Sequence, residues 1–343
     1  MKKLLNTLYV TKENAYLSKD GENIVIREEG VELGRFPKHI IESIICFNYT
    51  GVSPALLAMC LENQITLSFV NPYGKFCGSL TGSTNGNVLL RRRQYAMADN
   101  ESSLEFVRNI IYAKGLNSKK ILKRAILDHG QRIGKEKIEK KVQNIALLLQ
   151  EIKNASDKDS IRGFEGAIAK EYFDCFDECI LKQKQDFYFH GRSKRPPMDR
   201  VNAMLSFLYT LLAHDVSSAL LCVGIDSYVG FFHADRPGRA SMALDMMEEF
   251  RAYLVDRTVI SLINLNIIDA VDFETKESGA VLLNDKGRKK VLEYWQKRKQ
   301  TEIVHPYLKE KIKIGLLPYA QALLLNRYLR QDIDAYPPFL IKE

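Results

Sequence analysis

The sequence predicts an α+β protein, a small β-rich N-terminal domain followed by a larger all-α domain. Three observations predict it. Before about residue 80, apolar and polar side chains alternate in short runs. From about Val88 onward, long segments carry their apolar residues at a 3.6-residue period. Between the two lies "GSLTGSTNGN" (78–87), small, polar and glycine-rich, with the composition of a linker. The boundaries drawn from this are 1–80 for the β-rich domain, 81–90 for the linker and 91–343 for the helical domain.

In chain order, "LNTLYVT", "NAYLSK" and "NIVIREE" alternate as half-buried strands do, with Asp20–Gly21 supplying a hairpin turn. "IESIICF" and "ITLSFV" are further strands. "SPALLAMCLEN" separates them as a short helix, with Ser53 as its cap and Pro54 in its first turn. The helical periodicity then spans roughly 101–127, 135–154, 160–182, 199–222, 242–264, 285–299 and 316–330. No internal repeat is visible. The tail "AYPPFLIKE" cannot continue a helix past its proline pair, which leaves a docking segment or a frayed end.

Bulk properties narrow the function classes. At 343 residues, with 46% hydrophobic and 27% charged residues, the chain has the composition of a soluble globular protein. "MKKLLNTLYVTKENAYL" lacks a sustained apolar core and a small-residue cleavage site, so it reads as the start of a fold and not as a signal peptide. No stretch approaches the roughly 20 apolar residues of a membrane span, so no membrane partner is expected and the cytoplasm is the default location. Six scattered cysteines suit a reducing compartment, and the Cys175–Cys179 pair lacks the second close pair that a zinc site needs. The net charge of +8 favours polyanionic partners.

Within the segment 160–182, "DSIRGFEGAIAKEYFDCF" places Glu165 in the apolar stripe of Ile161, Ile168 and Tyr172, between Gly163 and Gly166. Each interior glycine costs a helix about 0.5–1 kcal/mol relative to alanine. A carboxylate facing a core costs more unless something compensates it. A bound cation is the leading compensating partner. A second cluster lies in "GFFHADRPGRASMALDMMEEFRAYLVDR" (230–257). Here His233 precedes a loop, Ser241 is a plausible helix cap, and Asp245 and Glu248 stack on one helical face. The macrodipole alone favours acids in a first helical turn. Taken with Glu165, however, the set is three carboxylates and an imidazole, suited to Mg²⁺ or Mn²⁺. Such a centre serves phosphoryl transfer. Arg236 and Arg239, or the rigid basic loop "GRSKRPPMDR" (191–200) with Arg192, Lys194 and Arg195, would hold flanking phosphates of a nucleic acid. A non-enzymatic, basic DNA-binding scaffold is the alternative from another class.

"GFEGAIAKEYF", "DRVNAMLSFLYTLLAHDVSSALLCVGID" and "GFFHADRPGRASMALDMMEEFR" resemble the signature blocks of the CRISPR-associated adaptation integrases, the "Cas one" family, with the subtype I-C branch looking closest. The resemblance runs over essentially the whole chain. It implies an N-terminal β-domain that mediates a homodimer and a helical domain with a divalent-metal site. The implied ligands are Glu165, His233 and Glu248, with Asp245 as the accessory acid; some branches carry Asp where this chain has Glu248. The implied reaction is insertion of short double-stranded DNA into the CRISPR array, a free 3′-hydroxyl attacking a phosphodiester without ATP. Metal-dependent endonuclease cleavage and disintegration are the implied accompanying reactions. A small "Cas two" protein is the implied partner, bridging two dimers.

Overall fold

The computed structural model of the chain describes residues 6–10, 12, 14–47, 50–70, 76–80, 82, 88–193 and 196–341. It divides into two compact units, Met1–Asn87 and Val88–Glu343.

The first unit holds strands β1 (Asn6–Val10), β2 (Tyr16–Asp20), β3 (Asn23–Glu28), β4 (Val31–Pro37), β5 (Ile41–Phe47) and β6 (Gly51–Val52), helix α1 (Pro54–Glu62), and strands β7 (Thr66–Val70) and β8 (Phe76–Leu80). They make two four-stranded sheets, ordered β4-β3-β2-β6 and β1-β5-β7-β8. Gly21, at φ +58, closes the β2–β3 hairpin where the Asp-Gly signal places it. Ser53 caps α1 by accepting from Leu56 N at 3.2 Å, and Pro54 occupies the first turn. Leu17, Ile24, Ile44, Leu56, Cys60 and Leu67 are fully buried in the core between these elements.

Three strands escape the alternation pattern, and one of them, β6, is only two residues long. In β4, Leu33 is the extra residue of a bulge, because Ile26 pairs with Gly34 and Arg27 with Glu32. The bulge breaks the two-residue period that would announce a strand. In β8, Gly78, Ser79 and Leu80, which the composition assigns to a linker, pair with Phe69, Ser68 and Leu67 of β7. Backbone pairing needs no particular side chain, so small residues suffice there. Of the remaining linker positions, 81 and 83–87 lie outside the described residues, and 88–90 already belong to a helix.

The second unit comprises α2 (Val88–Ala98), α3 (Leu104–His129), α4 (Lys135–Asn154), α5 (Lys158–Phe173), α6 (Arg200–Cys222), α7 (Ser241–Met247), α8 (Arg257–Asn264), α9 (Asp285–Lys299) and α10 (Leu317–Leu329). It is mostly helical but not all-α. Strands β9 (Phe273–Thr275) and β10 (Val281–Leu283) form one antiparallel pair, β11 (Glu302–Val304) and β12 (Lys311–Lys313) another. Their three-residue length is too short for a periodic signal. The expected helix 160–182 stops at Phe173 and gives way to a single 3-10 turn, Phe176–Cys179. The expected helix 242–264 is broken by a π turn at Arg251–Asp256 between α7 and α8.

Helices α3, α4 and α5 pack closely. A Cβ built on Gly115 of α3 would lie 2.8 Å from Leu149 Cδ2 and 3.0 Å from Ile168 Cδ1, so the glycine lets these two side chains close over α3. By length and composition α6 could cross a membrane, yet more than half of it is buried inside the unit. Its Asp215 accepts from Lys299 Nζ at 3.0 Å through both oxygens. A core helix passes the same composition test as a span. His214, mid-helix, is pushed down to about 4 by burial, a packed residue and not a ligand.

Candidate active site

Three separated segments converge in the helical unit. Helix α5 begins at Asp157, whose Oδ1 accepts from Ser160 N at 2.7 Å, and presents Glu165 two turns later. The loop Gly230–His233 presents the imidazole. Helix α7 presents Asp245, and its C-cap is Glu248. Ser241 is the first residue of α7 and not its cap, and its hydroxyl donates to Ala234 O at 3.2 Å. The first-turn amides of Met242 and Ala243 are instead satisfied by Ser227 O.

Asp245 is 1% exposed and fully used. Its Oδ2 accepts from Phe231 N at 2.6 Å and Phe232 N at 2.9 Å, and its Oδ1 accepts from His233 N at 2.9 Å. His233 Nδ1 lies 2.6 Å from the same Oδ1. A carboxylate can only accept there, which puts a proton on Nδ1 and turns Nε2 away from Asp245. Asp245 therefore fixes the loop and the imidazole tautomer; it acts through His233, as a positioning residue. Gly230 makes the close approach possible, since a Cβ there would sit 2.7 Å from Ser241 Cβ and 3.0 Å from Asp245 Oδ2. Arg162 ties α5 to the same loop by donating to Phe232 O at 3.0 Å.

Glu165 and Glu248 meet at a side chain that the sequence reading does not single out, and His233 approaches Glu248 from its other oxygen. Lys114 Nζ, on α3, donates to Glu165 Oε1 and lies 2.8 Å from Glu248 Oε2. His233 Nε2 is 3.9 Å from Glu248 Oε1, and Arg251 NH2 is 3.1 Å from that oxygen. Burial alone would raise the Glu248 carboxyl. The Arg251, Lys114 and His233 charges outweigh it and hold the group at about 2. Lys114 is raised in turn: burial lowers it, but the Glu248 and Glu165 carboxylates more than compensate. A further layer stands behind Arg251. Its guanidinium lies 4.8 Å from the Tyr209 ring, and the Tyr209 hydroxyl donates to Asp256 at 2.5 Å.

The adjacent residue, Glu249, faces the other way into a neutral environment. It accepts from Tyr336 Oη at 2.7 Å, Phe339 N at 2.5 Å and Gln321 Nε2 at 3.1 Å. Burial pushes it up to about 7 against these donors.

The donor set passes a chemical test for a divalent ion. Glu248 Oε2 is buried and makes no hydrogen bond, its contact with Lys114 being ionic without hydrogen-bond alignment. An open carboxylate lone pair, a second carboxylate and an imidazole nitrogen are oxygen-rich ligands of the Mg²⁺ or Mn²⁺ type. In the present arrangement Lys114 stands between the acids. No three His, Cys, Asp or Glu side chains among the described residues are close enough to enclose an ion without rearrangement.

The residues expected to face nucleic acid separate. Arg192 is turned inward. Its NH1 donates to Asn202 Oδ1 and, at 3.0 Å, to Ser193 O, and its guanidinium lies 5.2 Å from the Tyr209 ring. Asn202 also receives Ser193 N, so the loop folds Arg192 onto α6 and leaves it no free fork for a phosphate. Lys194 and Arg195 lie outside the described residues. Arg236 is exposed on the loop just after His233.

A mostly helical unit carrying an acid–imidazole centre, in a chain that begins with two small sheets, defines the class. The family is particular: a model of "CRISPR associated protein Cas1" matches residues 8–297, and the chain belongs to that family. The "CRISPR-associated endonuclease Cas1 1" of Chlorobaculum tepidum is 47% identical over 341 residues, 99% of either chain. Among solved structures, a casposase bound to integration product superposes with TM-score 0.82 at 22% identity, covering 98% of this chain and 93% of that one. A Cas6-RT-Cas1–Cas2 complex gives TM-score 0.83 at 20% identity over 100% of this chain and 37% of that one. At such identities the two structures speak for the fold alone.

Proposed function

We propose that this chain is a divalent-metal-dependent DNA endonuclease and integrase of CRISPR adaptation. The observation that carries the reading is that Glu165 and Glu248 share one cation, Lys114, with His233 Nε2 3.9 Å from Glu248 Oε1. Glu165, His233 and Glu248 would hold Mg²⁺ or Mn²⁺ once Lys114 withdraws. Bound there, the ion would neutralise a phosphodiester oxygen and ease attack on phosphorus. The chain's own residues do the rest. Asp245 fixes His233 so that Nε2 points to Glu248, Arg162 holds the loop against α5, and Arg251 keeps Glu248 ionised.

Gly163 and Gly166 fit the same reading. Both are exposed, and a Cβ on either would meet nothing within 4 Å. They relieve no internal crowding, so their helix cost is offset outside the protein, where a bare surface beside Glu165 admits a phosphate backbone. Arg236 would meet a flanking phosphate. In the proposed reaction a DNA 3′-hydroxyl oxygen bonds to phosphorus while the old P–O bond breaks. One phosphodiester replaces another and no ATP is consumed; water in place of the hydroxyl gives cleavage. The proposed setting is the cytoplasm. The proposed substrate is duplex DNA with free 3′ ends, and the proposed assembly is a homodimer joined to a Cas2 protein. The Cas1–Cas2 complex and the casposase product complex support this as folds. The signature blocks favour the subtype I-C branch.

Glu165→Ala and His233→Ala are expected to abolish strand joining and metal-dependent cleavage while duplex binding persists. Wild-type joining by Glu165→Ala would refute the assignment. The ion pairs of both acids, with Lys114 and for Glu248 also with Arg251, favour the scaffold as a second reading. Titration with Mn²⁺ separates the two, because a scaffold shows no Glu165-dependent thermal shift.

A further inference from the structure

The tail beyond α10 is neither frayed nor decorative. Tyr336 and Phe339 are 1% and 2% exposed. The Tyr336 ring packs on Phe106 of α3 at 5.0 Å, and the Phe339 ring packs on Phe250 and Tyr253 at 5.8 and 5.5 Å. Its backbone is held on both sides. On α3, Asn117 Oδ1 accepts from Ile341 N at 2.9 Å, Asn117 Nδ2 donates to Phe339 O at 2.9 Å, and Lys120 Nζ donates to Ile341 O at 2.5 Å. On the turn after α7, Glu249 accepts from the Tyr336 hydroxyl and from Phe339 N. The Asn117 amide closes the circuit by donating to Glu249 O at 2.8 Å.

The tail thus stitches α3 to the turn at Glu248–Tyr253. Those are the two elements that supply Lys114 and Glu248. The tail docks where the regular helical ladder is interrupted between α7 and the π turn. Pro337 and Pro338 restrict the backbone of the tail in advance, so docking it orders fewer degrees of freedom. The tail also lies beyond the residues 8–297 that match the family model.

We propose that Tyr336–Ile341 is a strap that positions Glu248, so that the last segment of the chain sets the geometry of the acid–imidazole centre. The consequence for metal rests on the proposed function, but the positioning itself does not. The test is amide hydrogen exchange on three variants of the full protein: a chain ending at Asp334, Phe339→Ala, and the milder Tyr336→Phe, which keeps the ring and loses one hydrogen bond. Exchange over 246–256 should rise about tenfold or more in the first two and less in the third, with 135–154 and 285–299 unchanged. Mn²⁺ binding, read by its dissociation constant, should weaken in the same order.

If the shortened chain does not fold, the two point variants decide. Unchanged exchange over 246–256 in Phe339→Ala overturns the proposal, and so does a uniform rise over the whole unit, which marks the tail as a general cover. If the unaltered protein binds no Mn²⁺, the metal reading fails while the exchange result still decides the strap.

Discussion

Glu248 and Glu249 are neighbours in one turn and live in opposite worlds. Glu248 faces Lys114, Arg251 and His233 and is held at about 2. Glu249 faces a tyrosine hydroxyl, an amide side chain and a backbone N–H, and rises to about 7. Both are buried, so burial does not distinguish them. What differs is whether the compensating groups carry charge. Full charges overcome desolvation, whereas neutral dipoles only reduce it. A carboxylate beside cations is kept ionised, and one beside dipoles serves as a structural acceptor.

The strongest way to break this comparison is to neutralise each acid in turn. On the proposed function, Glu248→Gln should lower strand joining and cleavage more than about a hundredfold, because the proposed ligand loses its charge. Glu249→Gln keeps the shape and most of the hydrogen bonds, so it should cost about 1 kcal/mol of stability and leave catalysis within a few-fold. Equal losses in steady-state cleavage assays would erase the distinction.

A smaller effect concerns the cation. Lys114→Met leaves two acids facing each other, and removal of one partner of a buried ion pair costs about 3–5 kcal/mol. Metal-free melting should therefore drop, while the melting rise on adding Mn²⁺ should exceed that of the unaltered protein. A rise no larger than wild type would show that Lys114 and the metal do not compete for one place.

The smallest effect tests burial of a titratable group elsewhere in the same unit. His214 is depressed by burial from 6.5 to about 4. Its neutral form is favoured in the fold, so its contribution is complete above pH 6.5 and is lost as pH falls towards 4. Asp256, raised from 3.8 to about 6 by burial, works in the opposite direction. The difference between wild type and His214→Gln isolates the histidine, and it should shrink by about 2 kcal/mol between pH 6.5 and about 5 in denaturant titrations. A constant difference would refute the assignment.

Much of this was legible in the residues. Glu165 stands out as an acid in an apolar stripe, and "GFFH" followed by "ALDMMEE" puts an imidazole near two stacked acids. Lys114 passes the same test, lying three and four residues from Ile111, Ile110, Asn117 and Ser118, all of which are buried. Its place at the head of the basic run 114–124 disguises it as solvated surface. Arg192 errs the other way, a basic loop residue that folds inward onto Asn202. The role of Asp245 was hidden because a stacked acid does not reveal which atoms it accepts from. The bulge at Leu33, the π turn and the docking of the tail depend on pairings between distant segments, and no local period encodes them.

Gly115 carries one last implication. It lies next to Lys114 in α3 and lets Leu149 and Ile168 close in from the two neighbouring helices. Substitution by alanine, the best helix former, would improve the local helix while the Leu149 and Ile168 methyl groups moved aside. Two adjacent positions of α3 thus carry opposite demands, bulk removed at 115 and a long charged arm kept at 114.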